Sequence, residues 1–153
     1  MLYDQVPEWF RGELEKEFGK EVFEKKDYEN LETFDDCCKV CGTTEEEFKK
    51  KFIPLDLSPD ALNLEALGII NKAINGPNWK VNHADQNQKK HFPVFSTSSG
   101  VFGFACSGYV YDYANTNVGS RLCLGSDEKS TYSGTKFIKF WEGFRTNQNV
   151  IQW

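Results

Sequence analysis

The hydrophobic residues in the first half of the chain recur at helical spacing. Phe10, Leu14 and Phe18, for example, lie one turn apart in the segment that begins at Pro7, which is typical of an amphipathic helix. Four segments show such a stripe: residues 7–19, 28–42, 44–52 and 58–75. The pattern therefore predicts about four helices within residues 1–76.

The third and fourth of these helices have recognisable N-terminal caps. Thr44 stands three residues before Glu47, which is the spacing of a capping box, and Ser58 precedes Pro59 at the start of the fourth segment. The fourth segment, DALNLEALGIINKAIN, is apolar on more than half of its circumference. We expect this helix to be buried on two sides and to connect the helical half with the rest of the chain.

The pattern changes after the turn signal Gly76-Pro77. Short apolar runs, separated by polar and glycine-rich segments, predict strands at residues 79–83, 91–96, 100–107, 109–113 and 119–124. Their connections are too short for crossover helices, so we expect an antiparallel meander sheet of four to five strands. Ser126 then caps a C-terminal helix that reaches Phe144 and is expected to pack on the sheet.

These elements together predict an α+β protein with a single domain over residues 1–153. Residues 1–76 form its helical half, and residues 77–153 form the antiparallel sheet with the C-terminal helix. A chain of 153 residues is long enough to bury a hydrophobic core without disulfides or a structural metal.

The composition narrows the classes of partner. The formal net charge of -5 and the isoelectric point near 5.1 disfavour duplex nucleic acid, because phosphate contacts require clustered Lys and Arg. No apolar run approaches the roughly 20 residues of a membrane span, so we expect no membrane partner. The five cysteines are an odd number and no apolar signal segment opens the chain, which favours a reduced, cytoplasmic protein.

Arg121 is the residue that points most directly to a ligand site. In the run GSRLCL, alternation along a strand places Leu122 and Leu124 on one face and Arg121 and Cys123 on the other. If the leucines face the helices, the guanidinium group is available to bind a carboxylate or phosphate through paired hydrogen bonds. The alternative is a structural ion pair with an acidic side chain of the protein, such as Asp112.

Aromatic and basic residues are predicted near Arg121. The tyrosines of the run YVYDY share one face, where they form either a stacking floor for a flat ligand or ordinary cross-strand pairs. Lys80 and the run Lys89-Lys90-His91 form a basic cluster near the sheet, which a solvated loop also explains. The predicted ligand-binding residues are Trp79, Lys80, His91, Tyr109, Tyr111, Ser120 and Arg121.

The cysteines do not form a zinc-site pattern. Cys37, Cys38 and Cys41 lie inside a predicted helix, without a second pair at metal-site spacing. We expect them to pack in the core, and we expect the same of Cys106 and Cys123 in the predicted strands. No metal and no cofactor is predicted.

The chain contains the residue types of a catalytic set, but their spacing along the sequence does not match any catalytic motif. His91, Cys123 and Asp112 supply a base, a nucleophile and an acidic partner, yet such sets are recognised by geometry and not by order along the chain. The sequence contains no phosphate-binding loop and no serine elbow. It therefore favours a non-enzymatic protein.

The segment FPVFSTSSGVFGFACSGYVYDYANTNVGSRLCLGSDEKSTYSGTKFIKFW carries a family resemblance. Its FPVF and VFGFA strands, its VGSRLC run and its capped C-terminal helix resemble small uncharacterised proteins encoded by phages and prophages of gut Bacteroidales. The upstream segments TFDDCCKVCG and LEALGIINKAIN are similar to the helical half of that family, so the likeness covers about residues 8–145. The pair Cys37-Cys38 departs from it, because a smaller residue is expected before a single cysteine. The resemblance implies a phage accessory protein made in a bacterial cytosol.

Two functions are compatible with these observations. The first is binding of a small anionic, nucleotide-like ligand through Arg121 and the sheet aromatics, with sequestration of a host defence signal as the role. The alternative is a non-catalytic protein-interaction or virion-associated module, in which the aromatics and the tail NVIQW form a homo-oligomer interface.

Overall fold

The computed structural model describes residues 7–18, 26–82, 84–85, 87–97, 101–110, 122–148 and 150. The chain divides into two compact units, Met1–Asn30 and Leu31–Trp153. In the first unit, helix α1 spans Glu8–Phe18, as the apolar spacing predicts, and a 3₁₀ turn spans Asp27–Asn30. All elements named below belong to the second unit.

Three helices open the second unit: α2 (Phe34–Val40), α3 (Glu45–Phe52) and α4 (Pro59–Asn75). Thr33 and Thr44 start α2 and α3 with complete capping boxes, in which each hydroxyl accepts a hydrogen bond from the backbone N–H of Asp36 or Glu47. The helix predicted over residues 28–42 is therefore shorter, because the Thr33 cap starts it at Phe34. A 3₁₀ turn, Ile53–Leu55, follows α3.

Helix α4 lies at the centre of the core. It packs against α2, α5 and α6, which confirms the expected burial on more than one side. Its buried side chains include three amides among the apolar residues: Leu62, Asn63, Ala66, Leu67, Ile70, Asn71, Ala73, Ile74 and Asn75. The helix ends at Gly76, whose φ of 80° is readily adopted only by glycine.

The described residues contain one antiparallel sheet of two strands, β1 (Lys90–Ser96) and β2 (Gly103–Val110). His91 lies opposite Tyr109, and the register is irregular between Val94 and Phe95. The predicted sheet of four to five strands is therefore wrong for this part of the chain. Residues 79–82 form no strand, and Leu124 makes only an isolated bridge to His91.

The Gln88 side chain explains why residues 79–82 need no strand partner. Its Nε2 donates to the carbonyl of Lys80 at 2.9 Å, and its Oε1 accepts from the N–H of Asn82 at 2.6 Å. A side-chain amide thus takes the place of a neighbouring backbone, which satisfies the same polar groups without a ladder.

Two amides of α4 act in the same way on the segment before α5. Asn71 Nδ2 donates to the carbonyl of Leu122, and Asn75 Nδ2 donates to that of Cys123, each at 2.9 Å. Leu122, Cys123 and Leu124 are consequently all buried. Burial of the two leucines and of Cys123 is as expected, but residues 122–124 pack against a helix and form no regular strand, so the strand alternation does not apply to them; Arg121 lies outside the described residues.

The predicted single C-terminal helix is divided into α5 (Asp127–Lys136) and α6 (Ile138–Thr146) at Phe137, whose φ is -107°. Ser126 caps α5, as expected. Helix α5 packs on the hairpin: a Cβ on Gly134 would lie within 2.7 Å of Phe104 and Pro93. The break allows α6 to pack on α4 instead. No helix in the described part of the chain is long and apolar enough to cross a membrane.

Candidate functional site

The structure separates the predicted ligand-binding residues. Trp79 and Lys80 line a cleft beside α4, whereas His91 and Tyr109 face each other in the hairpin. The other three lie outside the described residues: Tyr111, Ser120 and Arg121. The two hypotheses for Arg121, an anion clamp and a structural ion pair, therefore stay predictions.

His91 is held by both its backbone and its ring. Its N–H donates to the carbonyl of Leu124 at 3.0 Å, and the N–H of Leu124 donates back at 2.9 Å. The imidazole lies 5.7 Å from the ring of Tyr109, and the Nζ of Lys89 lies 4.7 Å from the same tyrosine ring. This arrangement is a cation–aromatic stack on the hairpin.

Burial keeps the imidazole of His91 neutral. The residue is 8% exposed, and desolvation lowers its pKa below the usual value of 6.5, against an opposing effect of Asp127 and with a smaller lowering by Lys89. Its Nδ1 has no hydrogen-bond partner within the described ranges. His91 is thus a buried core histidine, and it does not line the cleft that contains Trp79.

Lys90 does not contribute to a positive pocket. Its side chain is fully buried, and its Nζ donates to the carbonyl of Gln88 at 3.1 Å. The predicted basic cluster is therefore wrong for Lys90. A lysine whose ammonium group binds backbone carbonyls inside the fold is not presented to a ligand.

A cleft of about 550 Å³ lies along one face of α4. This volume is within the range of small-molecule sites, which is about 300–1,000 Å³. Its lining residues come from four separate segments of the second unit: Cys41, Thr43, Glu65, Gly68, Ile69, Lys72, Asn75, Trp79, Lys80, Val81 and Cys123.

Helix α4 supplies the longest wall of the cleft. Glu65, Gly68 and Lys72 are spaced three and four residues apart, so they follow one another on a single face. Glu65 and Lys72 are two turns apart, or about 10 Å along the helix axis. The wall is therefore acidic towards the start of the helix and basic towards its end.

The end of α4 also positions Trp79. Asn75 Oδ1 accepts from the N–H of Gly125 at 2.8 Å, and this holds Gly125 next to the indole. A Cβ on Gly125 would lie 2.6 Å from Trp79 Nε1. The glycine thus leaves the space in which the edge of the indole packs.

The basic end of the cleft carries two ammonium groups and an aromatic ring. Lys72 lies in the last turn of α4, and Lys80 follows Trp79 immediately. Both lysines are exposed, while Trp79 is half-buried. Such a combination suits a flat molecule that carries negative charge, because the ring stacks on the indole and the ammonium groups bind the anion.

The two thiols of the cleft are neutral. Burial raises the pKa of Cys123 and of Cys41, with Lys90 and Lys72 opposing the shift only in part. Cys41 Sγ donates to the carbonyl of Ile69 at 3.6 Å. A protonated thiol is a poor nucleophile, so Cys123 is not activated for the catalytic set with His91, whose third member, Asp112, lies outside the described residues.

The remaining cysteines divide between the core and the surface. Cys37 and Cys38 are fully buried, and burial raises the pKa of each to about 12, which confirms the expected core packing. Cys106 is exposed, so the same expectation was wrong for it. Across the described segments, no three His, Cys, Asp or Glu side chains come close enough to hold a metal ion.

Sequence reasoning identified Trp79 and Lys80 but missed the wall that α4 contributes. The available signal was a polar stripe, Glu65, Lys72 and Asn75, on a helix that is otherwise largely apolar. No protein-family model matches this chain, and no curated protein or solved structure matches it either. The candidate site is therefore supported by its own geometry.

Proposed function

We propose that this protein binds a small anionic, nucleotide-like ligand in the cleft beside α4 and holds it without converting it. The observation that carries the proposal is that the Trp79 indole and two lysines, Lys72 and Lys80, line one cleft of small-molecule size. The indole offers a stacking surface, and the lysines attract the negative charge.

The other side chains of the cleft favour binding over catalysis. Cys41 and Cys123 carry protonated thiols, and the buried His91 is not among the residues that line the cleft. Both polar atoms of the Asn75 side-chain amide are already engaged, since its Nδ2 donates to the Cys123 carbonyl and its Oδ1 accepts from the Gly125 N–H. The cleft thus offers two lysines that attract an anion and an indole on which a ring can stack. Among the described residues it contains no activated nucleophile.

The resemblance to phage proteins adds a biological role to this function. A phage accessory protein that binds a nucleotide signal tightly and releases it unaltered would sequester a host defence signal. In that role the ligand is a signalling nucleotide of the bacterial host.

Isothermal titration calorimetry against cyclic AMP, cyclic GMP, cyclic di-AMP and ADP-ribose tests the proposal. Wild-type protein is expected to bind at least one member of this panel. The double variant Lys72→Ala/Lys80→Ala is expected to bind it about tenfold more weakly, with a flatter dependence on salt, because two attractive charges are lost. After incubation the protein is boiled, and the released nucleotide is expected to be recovered intact.

The double variant Lys136→Ala/Lys139→Ala is the matched control. It changes the net charge by the same amount, and both lysines are exposed on α5 and α6 outside the cleft. Binding by neither wild type nor control contradicts the proposal, as does equal affinity in the two double variants. Arg121→Ala in the same titration tests the predicted anion clamp separately.

A further inference from the structure

Gly68 is in the middle of α4 and lines the cleft. Glycine in a helix interior destabilises the helix relative to alanine, because it loses more backbone freedom on folding. A Cβ placed on Gly68 would meet no described atom within 4 Å. Packing within the described protein therefore gives no reason for glycine at this position.

The two helical glycines that α5 and α6 contribute differ from Gly68 in this respect. A Cβ on Gly134 would lie 2.5 Å from the Phe104 ring, and one on Gly143 would lie 2.6 Å from Asn63 Nδ2. Contacts so short leave no room for a methyl group. These glycines are required by neighbouring side chains, whereas the space over Gly68 opens into the cleft.

We propose that Gly68 determines specificity by letting the planar part of the ligand lie directly on the backbone of α4. Glycine is the residue that permits such a close approach. This assignment rests on the function proposed above and makes it more specific. It places the aromatic ring of the ligand in the same cleft with one face on the backbone at Gly68 and the other towards the Trp79 indole, and its anionic group at Lys72 and Lys80.

The spacing along α4 defines the ligand class. Gly68 and Lys72 are four residues apart on one face, so they lie about 6 Å from each other along the axis. A planar ring and an anion separated by about that distance describe a nucleotide, in which a sugar joins the base to the phosphate. A free anion such as phosphate would contact the lysines but not Gly68.

Gly68→Ala separates the contribution of the ring from that of the charge. We expect the variant to raise Tm by about 3 °C, because alanine favours the helix and meets open space. We expect it to weaken binding of the tightest nucleotide in the panel by about tenfold, because the added methyl group lifts the ring from the backbone. Binding of inorganic phosphate is expected to stay unchanged.

Gly12→Ala is the control for the chemical change. Gly12 is an exposed position of α1, and a Cβ there also meets no described atom within 4 Å. We expect the control to leave nucleotide affinity unchanged. It shows that a glycine-to-alanine change in a helix does not by itself weaken binding.

Each contrary result has a distinct meaning. Unchanged nucleotide affinity in Gly68→Ala, with weakened affinity in the Lys72→Ala/Lys80→Ala variant, overturns the role of Gly68 and leaves the proposed function standing. A lower Tm in Gly68→Ala, or an equal loss of phosphate and nucleotide binding, also overturns it, because the methyl group would then disturb the fold. Wild-type protein that binds no member of the panel overturns both.

Discussion

Helix α5 is involved in two interfaces that treat buried polar groups differently. Ser133 and Ser130 are three residues apart on this helix, and both are fully buried. Ser133 Oγ donates to Asn71 Oδ1 at 2.7 Å and accepts from Trp141 Nε1 at 3.2 Å. Ser130 Oγ has no hydrogen-bond partner within the described segments. One helix thus carries both a saturated and an unsaturated buried hydroxyl.

The saturated side is the contact with α4 and α6. There the asparagines of α4 bind the segment that precedes α5, and Lys129 Nζ donates to the carbonyl of Asn75 at 2.8 Å. Each of these bonds has a direction and a fixed partner, so the network defines a single register between helix and segment. Asn63 Oδ1 is an exception on this side, since it has no partner among the described residues.

The unsaturated side is the contact with the hairpin, because Ser130 lies four residues before Gly134, and a Cβ on Gly134 would meet Phe104 and Pro93 of the hairpin. The other buried polar atoms without a described partner, Ser107 Oγ and His91 Nδ1, lie in β2 and β1. Here the helix and sheet are matched by shape, since Gly134 receives Phe104 and Pro93. Polar bonds therefore specify the core around α4, while close packing specifies the hairpin.

The largest expected effect comes from cutting the saturated network at Asn71. Asn71→Ala removes the hydrogen bond to the Leu122 carbonyl and the hydrogen bond from the Ser133 hydroxyl. The carbonyl and the hydroxyl then stay buried without this partner. We expect the free energy of unfolding to fall by about 3 kcal/mol, because unsatisfied buried groups bear their full desolvation cost. Urea denaturation measures this loss.

Asn78→Ala is the matched control for this variant, since Asn78 is exposed. It is expected to change the free energy of unfolding by less than about 0.5 kcal/mol. If both asparagine variants lower the free energy of unfolding by the same small amount, the hydrogen-bond network does not specify the core. The contrast between the two interfaces of α5 then fails.

The two serines test the contrast within one helix. We expect Ser133→Ala to lower the free energy of unfolding by about 1–2 kcal/mol, because it breaks two bonds and leaves Trp141 Nε1 without its acceptor. We expect Ser130→Ala to be neutral or slightly stabilising, because it removes a hydroxyl that has no described partner. Thermal and urea unfolding of the pair give the difference directly, and equal losses would contradict it.

The smallest effect is a pH dependence from His91. Since its folded pKa lies below 6.5, the unfolded chain binds more protons there, and stability must fall as the pH drops from about 7 towards the folded pKa. Asp127 and Glu128 at the start of α5 oppose the effect of burial and Lys89 adds to it, so the slope is expected to be modest. Urea midpoints between pH 7 and 5 measure it.

His91→Phe is expected to remove this slope, whereas His83→Gln, at the only other histidine of the chain, is expected to keep it. The carboxylates whose pKa is lowered, Asp35, Asp36, Glu46 and Asp60, lose their contribution to stability below this pH window. The pKa of Asp35, for example, is held below its usual 3.8 by the backbone N–H of Glu45 and by Lys39, so its contribution is lost only at lower pH. A slope that survives in His91→Phe would assign the effect to another group.

Local signals predicted the helices well. The capping box of Thr44 with Glu47 starts α3 where the sequence places it, and α4 starts at Pro59 as predicted, although the Ser58 side chain makes no capping hydrogen bond there. A cap acts on the backbone within three residues of itself, so its effect is readable without knowledge of the fold. The antiparallel pairing of residues 91–96 with the following apolar run was also readable, because adjacent strands joined by a short loop usually pair.

Local signals did not predict the number of strands or the position of the cleft. Residues 79–82 and 122–124 have strand-like composition, yet amides of Gln88, Asn71 and Asn75 satisfy their carbonyls. The donors from Asn71 and Asn75 lie 51 and 48 residues away from their acceptors in the chain, so no local pattern reveals them. Lys90, which the sequence places in a basic cluster near the surface, is fully buried, although its ammonium group binds the nearby carbonyl of Gln88.

Local patterns in the sequence were enough to predict the α+β class, the starts of α3 and α4, and two members of the cleft, Trp79 and Lys80. The tertiary structure alone decided that these two meet Lys72 and Gly68 of α4, that His91 belongs to the core, and that side-chain amides replace strands. The physical reason is range: capping and periodicity act over one or two turns, whereas a cleft and a buried hydrogen bond join groups that only the folded chain brings together.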